Sequence, residues 1–187
     1  FYPAKLLGCF GDGGMVLCNE SEIYNKLILL RDHGRDPKTG DILIWGRNSR
    51  LDNLQAALLQ YQFKTFEESI VKRRKLAVLY HENLLTVPSI ILPPPPNVNP
   101  DHFDVYQNYE IEAEKRDELK TYLLENGIGT LIQWGGKAVH QFSNLGFNIS
   151  LPYTEKLFDK MLMLPMNTSI STNDVLYISQ KVKEFYK

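Results

Sequence analysis

The sequence predicts an α/β fold in which an α/β segment leads through a long helix to a small α+β C-terminal domain. Three observations carry this reading. A short apolar run, MVLC at residues 15–18, precedes helical spacing over residues 22–32. A helical pattern then runs from residue 52 to about residue 85. Beyond the prolines at residues 93–96, strand, helix and strand alternate before two further helices.

A length of 187 residues suits one medium domain, or part of a larger one joined to a small domain. With 43% hydrophobic and 11% aromatic residues there is enough apolar material for a core. Lys+Arg 21 against Asp+Glu 22 leaves a net charge of -1, so no nucleic acid or other polyanion is expected as partner. Cys9 and Cys18 make no disulfide framework, their spacing is not that of a zinc pair, and no metal site is expected. Buried free thiols in a reducing cytoplasm are the expectation. No apolar stretch is long enough to span a bilayer, so no membrane partner is expected.

The opening stretch, FYPAKLLGCFGDGG, sets Lys5 between an aromatic pair with a proline and the glycines at positions 11, 13 and 14. Glycine allows the backbone to turn tightly there. On composition alone Lys5 reads as a surface lysine beside a turn. A desolvated lysine, though, stays unprotonated and can form a Schiff base with an aldehyde. Residues 15–18 then read as a short buried strand. Asn19 or Ser21 offers a cap for the next helix, where Ile23, Leu27 and Leu30 recur at helical spacing. His33 in its last turn serves the helix dipole and packing, and Gly34 stands where helices adopt a left-handed residue.

Residues 35–50 form a polar loop with Pro37, Gly40 and Gly46. Ser49 or Asp52 caps the long helix, whose face carries Leu54, Ala57, Leu58 and Tyr61. At 1.5 Å per residue such a helix spans on the order of 50 Å, enough to link two domains. Lys72, Arg73, Arg74 and Lys75 follow Glu67 and Glu68 by helical steps, which reads as a salt-bridged, solvated face.

The prolines at residues 93–96 make a stiff spacer. Residues 106–113 read as a strand, residues 116–125 as a helix stopped by Asn126 and Gly127, and residues 128–134 as a second strand. Helices over residues 154–163 and 173–185 complete the domain. Between these elements lies QWGGKAVHQF, where Gly135 and Gly136 permit a bend around which Trp134, Lys137 and His140 project. Trp134 reads equally well as a stacked core residue.

The segments FYPAK, GDGGMVLCN, LRDHGR, GRNSRLDNLQAALL and RDELKTYLLENGIGT, in this order and spacing, resemble the signatures of the DegT/DnrJ/EryC1/StrS sugar aminotransferases. The resemblance covers essentially the whole chain. It implies a pyridoxal-phosphate enzyme of fold type I in which Lys5 binds the cofactor as a Schiff base. The family often has Thr or Ser where Ala4 stands, which leaves the lysine in place. In the family this lysine lies near the middle of a chain about twice as long, so the resemblance implies a C-terminal half that begins just before it. The partner of the pyridine nitrogen, the ring-stacking residue and much of the phosphate cradle are then expected upstream.

On this basis residues 1–50 are expected to end the large cofactor-binding domain, residues 51–96 to form the long linking helix and proline spacer, and residues 97–187 to form the small domain. Asn48 matches the asparagine that reaches across a homodimer to the cofactor phosphate of the neighbouring subunit; its alternative role is to cap the helix. Arg50 is read as structural, pairing with Asp52 or an interface carboxylate, while Arg47 stands where relatives often carry Tyr. His140 matches the family histidine, and the stretch holding Trp134 and Lys137 borders the sugar-nucleotide pocket. Its WGGK version departs from the commoner tyrosine-proline pattern and resembles the branch that aminates a 3-keto rather than a 4-keto sugar.

The implied activity is transfer of an amino group from an amino-acid donor, glutamate being expected, to the keto group of a nucleotide-linked deoxysugar. Lysine's ordinary pKa of ~10.4 requires a desolvated or charge-crowded site for Lys5 to act as a base. The alternatives are a non-catalytic or regulatory homologue and an inert fragment. Dehydratase relatives replace the lysine with histidine, which Lys5 argues against.

Overall fold

The computed structural model describes residues 1–187, and the chain divides into two units, Phe1–Glu67 and Glu68–Lys187. The first holds two helices, α1 (Ser21–Arg31) and α2 (Asn53–Phe63), joined by a loop that doubles back. Residues 15–18 are exposed and form no strand within this chain, where no other segment pairs with their backbone. Cys18 is accordingly exposed, whereas Cys9 is buried.

The residue before α1 is Glu20, with no side-chain cap, so neither Asn19 nor Ser21 serves as one. Its C-terminus is closed by chain that returns from the loop. The Gly34 N–H donates to Leu29 O at 2.8 Å, the Arg47 N–H to Leu30 O at 2.8 Å and the Ser49 N–H to Arg31 O at 2.8 Å. These carbonyls would otherwise end the helix without partners. The loop can return this closely only because of glycine. Gly34 is left-handed at φ 75°, as expected, and a Cβ on it would lie 1.7 Å from Ile44 O.

The expected continuous helix over residues 52–85 is two helices, α2 and α3 (Phe66–Leu84). Between them Lys64 N–H turns to Tyr61 O at 3.2 Å, and both the N–H and the hydroxyl of Thr65 reach Gln62 O, at 3.1 and 3.3 Å. These short-range bonds tighten the last turn and end the α-helical ladder. Asp52 does precede α2, but its side chain makes no capping bond.

The second unit is built on a three-stranded antiparallel sheet in the order β1 (Ile90–Ile91), β2 (Tyr109–Ala113), β3 (Met161–Leu164). α4 (Arg116–Glu125) follows β2, α5 (Pro152–Lys160) precedes β3, and α6 (Thr172–Phe185) ends the chain. The buried cluster takes Leu76, Tyr80 and Leu84 from α3, Tyr109 and Ile111 from β2, Leu119 and Leu123 from α4, and Val175 and Val182 from α6. Each such side chain contributes about 1.5–3 kcal/mol by leaving water.

Two expected elements differ. Residues 161–163, read as the end of a helix, form β3, because MLML buries three of its four side chains beside β2. Residues 128–134 are not a strand: only Leu131 pairs, with Met163, before the chain turns away through Trp134, Gly135 and Gly136, all at positive φ.

The basic run on α3 is not a salt-bridged face. Arg73 is buried and donates through Nη1 to Tyr106 O at 3.0 Å, Gln107 O at 3.1 Å and Met166 O at 3.2 Å. Arg74 lies over the Phe103 ring at 4.2 Å and bonds Asp104 O, and Lys72 bonds Thr168 O. Backbone carbonyls and the Asn97 side-chain oxygen, not Glu67 and Glu68, take these cations, since the helix presents them to the segments flanking the sheet.

Candidate functional site

The expected site residues fall in both units, Lys5 and Asn48 in the first and Trp134, Lys137 and His140 in the second. Lys5 sits on a loop folded onto itself. Its N–H donates to Tyr2 O at 2.9 Å, and the Cys9 N–H to Phe1 O at 2.8 Å. Gly8 passes so close that a Cβ on it would lie 2.8 Å from Pro3 O. The buried Cys9 thiol fills the loop's interior, within 3.1 Å of Phe1 O and 3.2 Å of Gly11 O.

Gln55 of α2 fastens this loop from outside. Its side-chain oxygen accepts from the Phe10 N–H at 2.8 Å while its amide donates to Phe10 O at 2.9 Å. Lys5 itself is exposed. No hydrogen bond or ion pair of the chain engages its Nζ, so the amine is open to an incoming aldehyde. Unit 1 leaves the lysine side chain exposed.

Asn48 pairs across the loop with Asp32 at the end of α1. Arg50 holds it from one side: Nε donates to Asn48 Oδ1 at 3.1 Å and Nη1 to Asp32 Oδ1 at 3.0 Å. Arg50 therefore pairs with Asp32, not with Asp52. With its oxygen engaged, the Asn48 amide has its two N–H donors left over, which is the half that a phosphate oxygen accepts from. A free amine on a braced loop and an oriented amide donor fit an aldehyde and a phosphate, the two groups by which pyridoxal phosphate would be held.

In the second unit Trp134 is 79% exposed and left-handed at φ 50°, which removes the core-stacking reading. Lys137 is exposed beside it in sequence. His140 is the opposite: it is buried in the short turn Val139–Gln141, and its Nε2 meets Glu155 Oε1 at 3.0 Å. The same carboxylate oxygen accepts from the Leu151 N–H at 2.8 Å and the Ser150 hydroxyl at 3.2 Å. The Leu151 N–H first, then the His140 and Ser150 bonds, hold the Glu155 carboxyl below its ordinary pKa.

Glu155, Gln55 and the Asp32 partner of Arg50 are not among the residues that sequence reasoning singled out. A signal existed for Glu155, an acidic residue in the first turn of a helix beginning with Pro152. That its oxygen would also meet His140 needed the fold.

Residues 1–183 match the model of the DegT/DnrJ/EryC1/StrS aminotransferase family. A Geobacillus stearothermophilus protein named a pleiotropic regulatory protein is 36% identical, covering 100% of this chain and 50% of its own length. A Streptomyces venezuelae dTDP-3-amino-3,4,6-trideoxy-alpha-D-glucose transaminase is 33% identical, covering 99% of this chain and 48% of its own. The crystal structure of a DegT DnrJ EryC1 StrS aminotransferase from Brucella abortus superposes with a TM-score of 0.89 at 34% identity, over 100% of this chain and 49% of that one. The chain thus spans about half the length of the relatives it matches.

Proposed function

Because this chain belongs to the DegT/DnrJ/EryC1/StrS aminotransferase family, we propose that it supplies the C-terminal half of an enzyme that moves an amino group from an amino acid, glutamate by expectation, to a keto group on a nucleotide-linked deoxysugar. The observation that carries this is Lys5, displayed with an unengaged amine on a loop braced by Gln55. The fold places no constraint against it: the Brucella abortus aminotransferase has the same architecture over the whole of this chain. Loss of transamination in Lys5→Ala, with cofactor-independent folding intact, tests it.

In this reading Lys5 Nζ would hold pyridoxal phosphate and would be the chain's group that takes up and returns a proton at the reacting carbon. When bound, the cofactor supplies the electron sink for that chemistry. Asn48 donates from its amide to the phosphate of a second subunit, which makes a homodimer part of the proposal. Large exposed apolar side chains on unit 1, among them Met15, Leu17 and Trp45, support further protein surface covering it.

His140, Trp134 and Lys137 take the sugar nucleotide. The WGGK stretch, together with the name of the Streptomyces venezuelae relative, favours amination at a 3-keto position. A second reading is favoured by one observation, the name of the Geobacillus stearothermophilus relative: a regulatory homologue. A complete protein that holds the cofactor on Lys5 yet transaminates no nucleotide keto sugar would select it.

A further inference from the structure

The Glu155 oxygen that meets His140 does more than cap α5. Oε1 gathers three donors, Leu151 N–H at 2.8 Å, His140 Nε2 at 3.0 Å and the Ser150 hydroxyl at 3.2 Å. The first and last come from Leu151 and Ser150 at the start of α5, so two local bonds hold the carboxylate independently of the histidine. An ionised carboxylate can only accept, so the proton between the two residues belongs to Nε2. The other ring nitrogen, Nδ1, has no partner in the chain and is not among the buried atoms lacking one.

We propose that Glu155 is a positioning residue that fixes His140 as its Nε2–H tautomer, so that His140 offers Nδ1 as a hydrogen-bond acceptor to a hydroxyl or N–H of the sugar nucleotide. The substrate-facing part rests on the reading of His140 given above. The tautomer part does not. A fixed acceptor selects for a donor on the substrate, because a group that cannot donate leaves the ring nitrogen unpaired.

Nitrogen-15 NMR of the chain's four histidines, with His140 assigned by its loss in His140→Gln, reads the tautomer of the neutral ring directly. The expected result is Nε2–H alone in the unmodified chain, a mixture of tautomers in Glu155→Ala, and restoration of Nε2–H in Glu155→Gln, whose oxygen still accepts. An Nδ1–H ring in the unmodified chain overturns the proposal whatever the variants do. So does a folded Glu155→Ala with the tautomer unchanged. In the complete enzyme, Glu155→Ala and His140→Ala each raise KM for the sugar nucleotide by about tenfold with little change in kcat, and the double variant is no worse than either. Unchanged KM overturns the substrate-facing part. Absence of transamination by the unmodified enzyme counts against the proposed function instead, and the tautomer then decides this inference alone.

Discussion

Arg50 bridges Asp32 and Asn48, its Nη1 on Asp32 Oδ1 at 3.0 Å and its Nε on Asn48 Oδ1 at 3.1 Å. Two different guanidinium nitrogens in fixed relation hold two acceptors, a task that the single ammonium of lysine cannot copy. In the complete enzyme both Arg50→Lys and Arg50→Ala should weaken pyridoxal phosphate binding by about tenfold, equivalent to ~1.4 kcal/mol. Titration of the apoenzyme followed by absorbance measures this; wild-type affinity in Arg50→Lys would remove the bridge from the account.

The loop carrying Asn48 depends on Gly34. A Cβ there would meet Ile44 O at 1.7 Å, on a residue already at φ 75°. Gly34→Ala should cost more than about 2 kcal/mol locally, seen as faster hydrogen exchange at the amides of Leu43 and Arg47, which bond Gly34 O and Leu30 O. Gly129→Ala, whose added Cβ meets nothing within 4 Å, should stay within about 0.5 kcal/mol.

Arg73 is buried without a carboxylate, and burial lowers its pKa. Its Nη1 serves three carbonyls on two segments, at residues 106–107 and at Met166. Arg73→Ala leaves these acceptors without a donor and should destabilise unit 2 by on the order of 3 kcal/mol in urea unfolding. A loss under about 1 kcal/mol would show that water replaces the guanidinium there.

The acid limb of stability has a definite sign. Glu155 is held below its ordinary pKa by Leu151, His140 and Ser150, and Asp174 by the Ser171 hydroxyl and N–H. Lys160 lowers Glu114, and Lys181 lowers Glu184. Each contribution is complete above the unfolded pKa, ~3.9 for Asp and ~4.3 for Glu, and disappears as pH falls through the lower folded value. Glu110, raised by burial, acts in the opposite sense. Melting temperature should therefore fall below about pH 4.5, and less steeply in Asp174→Asn and Glu155→Gln.

What could be read from sequence was local. α4 spans the expected residues, and its end is a Schellman turn, with Ile128 N–H on Leu123 O at 2.8 Å and Gly127 N–H on Leu124 O at 3.0 Å. α6, expected over residues 173–185, runs over Thr172–Phe185. Elements that need a distant partner were not legible: MLML is a strand because β2 lies beside it, while MVLC pairs with no other segment of this chain. The same division holds in the candidate site. Lys5, Asn48 and His140 stand out through family motifs, whereas Gln55, Glu155 and the Asp32–Arg50 pair are defined by contacts between segments far apart in the chain.

The most direct test of the central claim is borohydride reduction of the protein after incubation with pyridoxal phosphate, followed by digestion and peptide mapping. The account predicts a phosphopyridoxyl mass addition confined to the peptide carrying Lys5 and absent from Lys5→Ala. Label spread evenly over other lysines, or undiminished in Lys5→Ala, would contradict it.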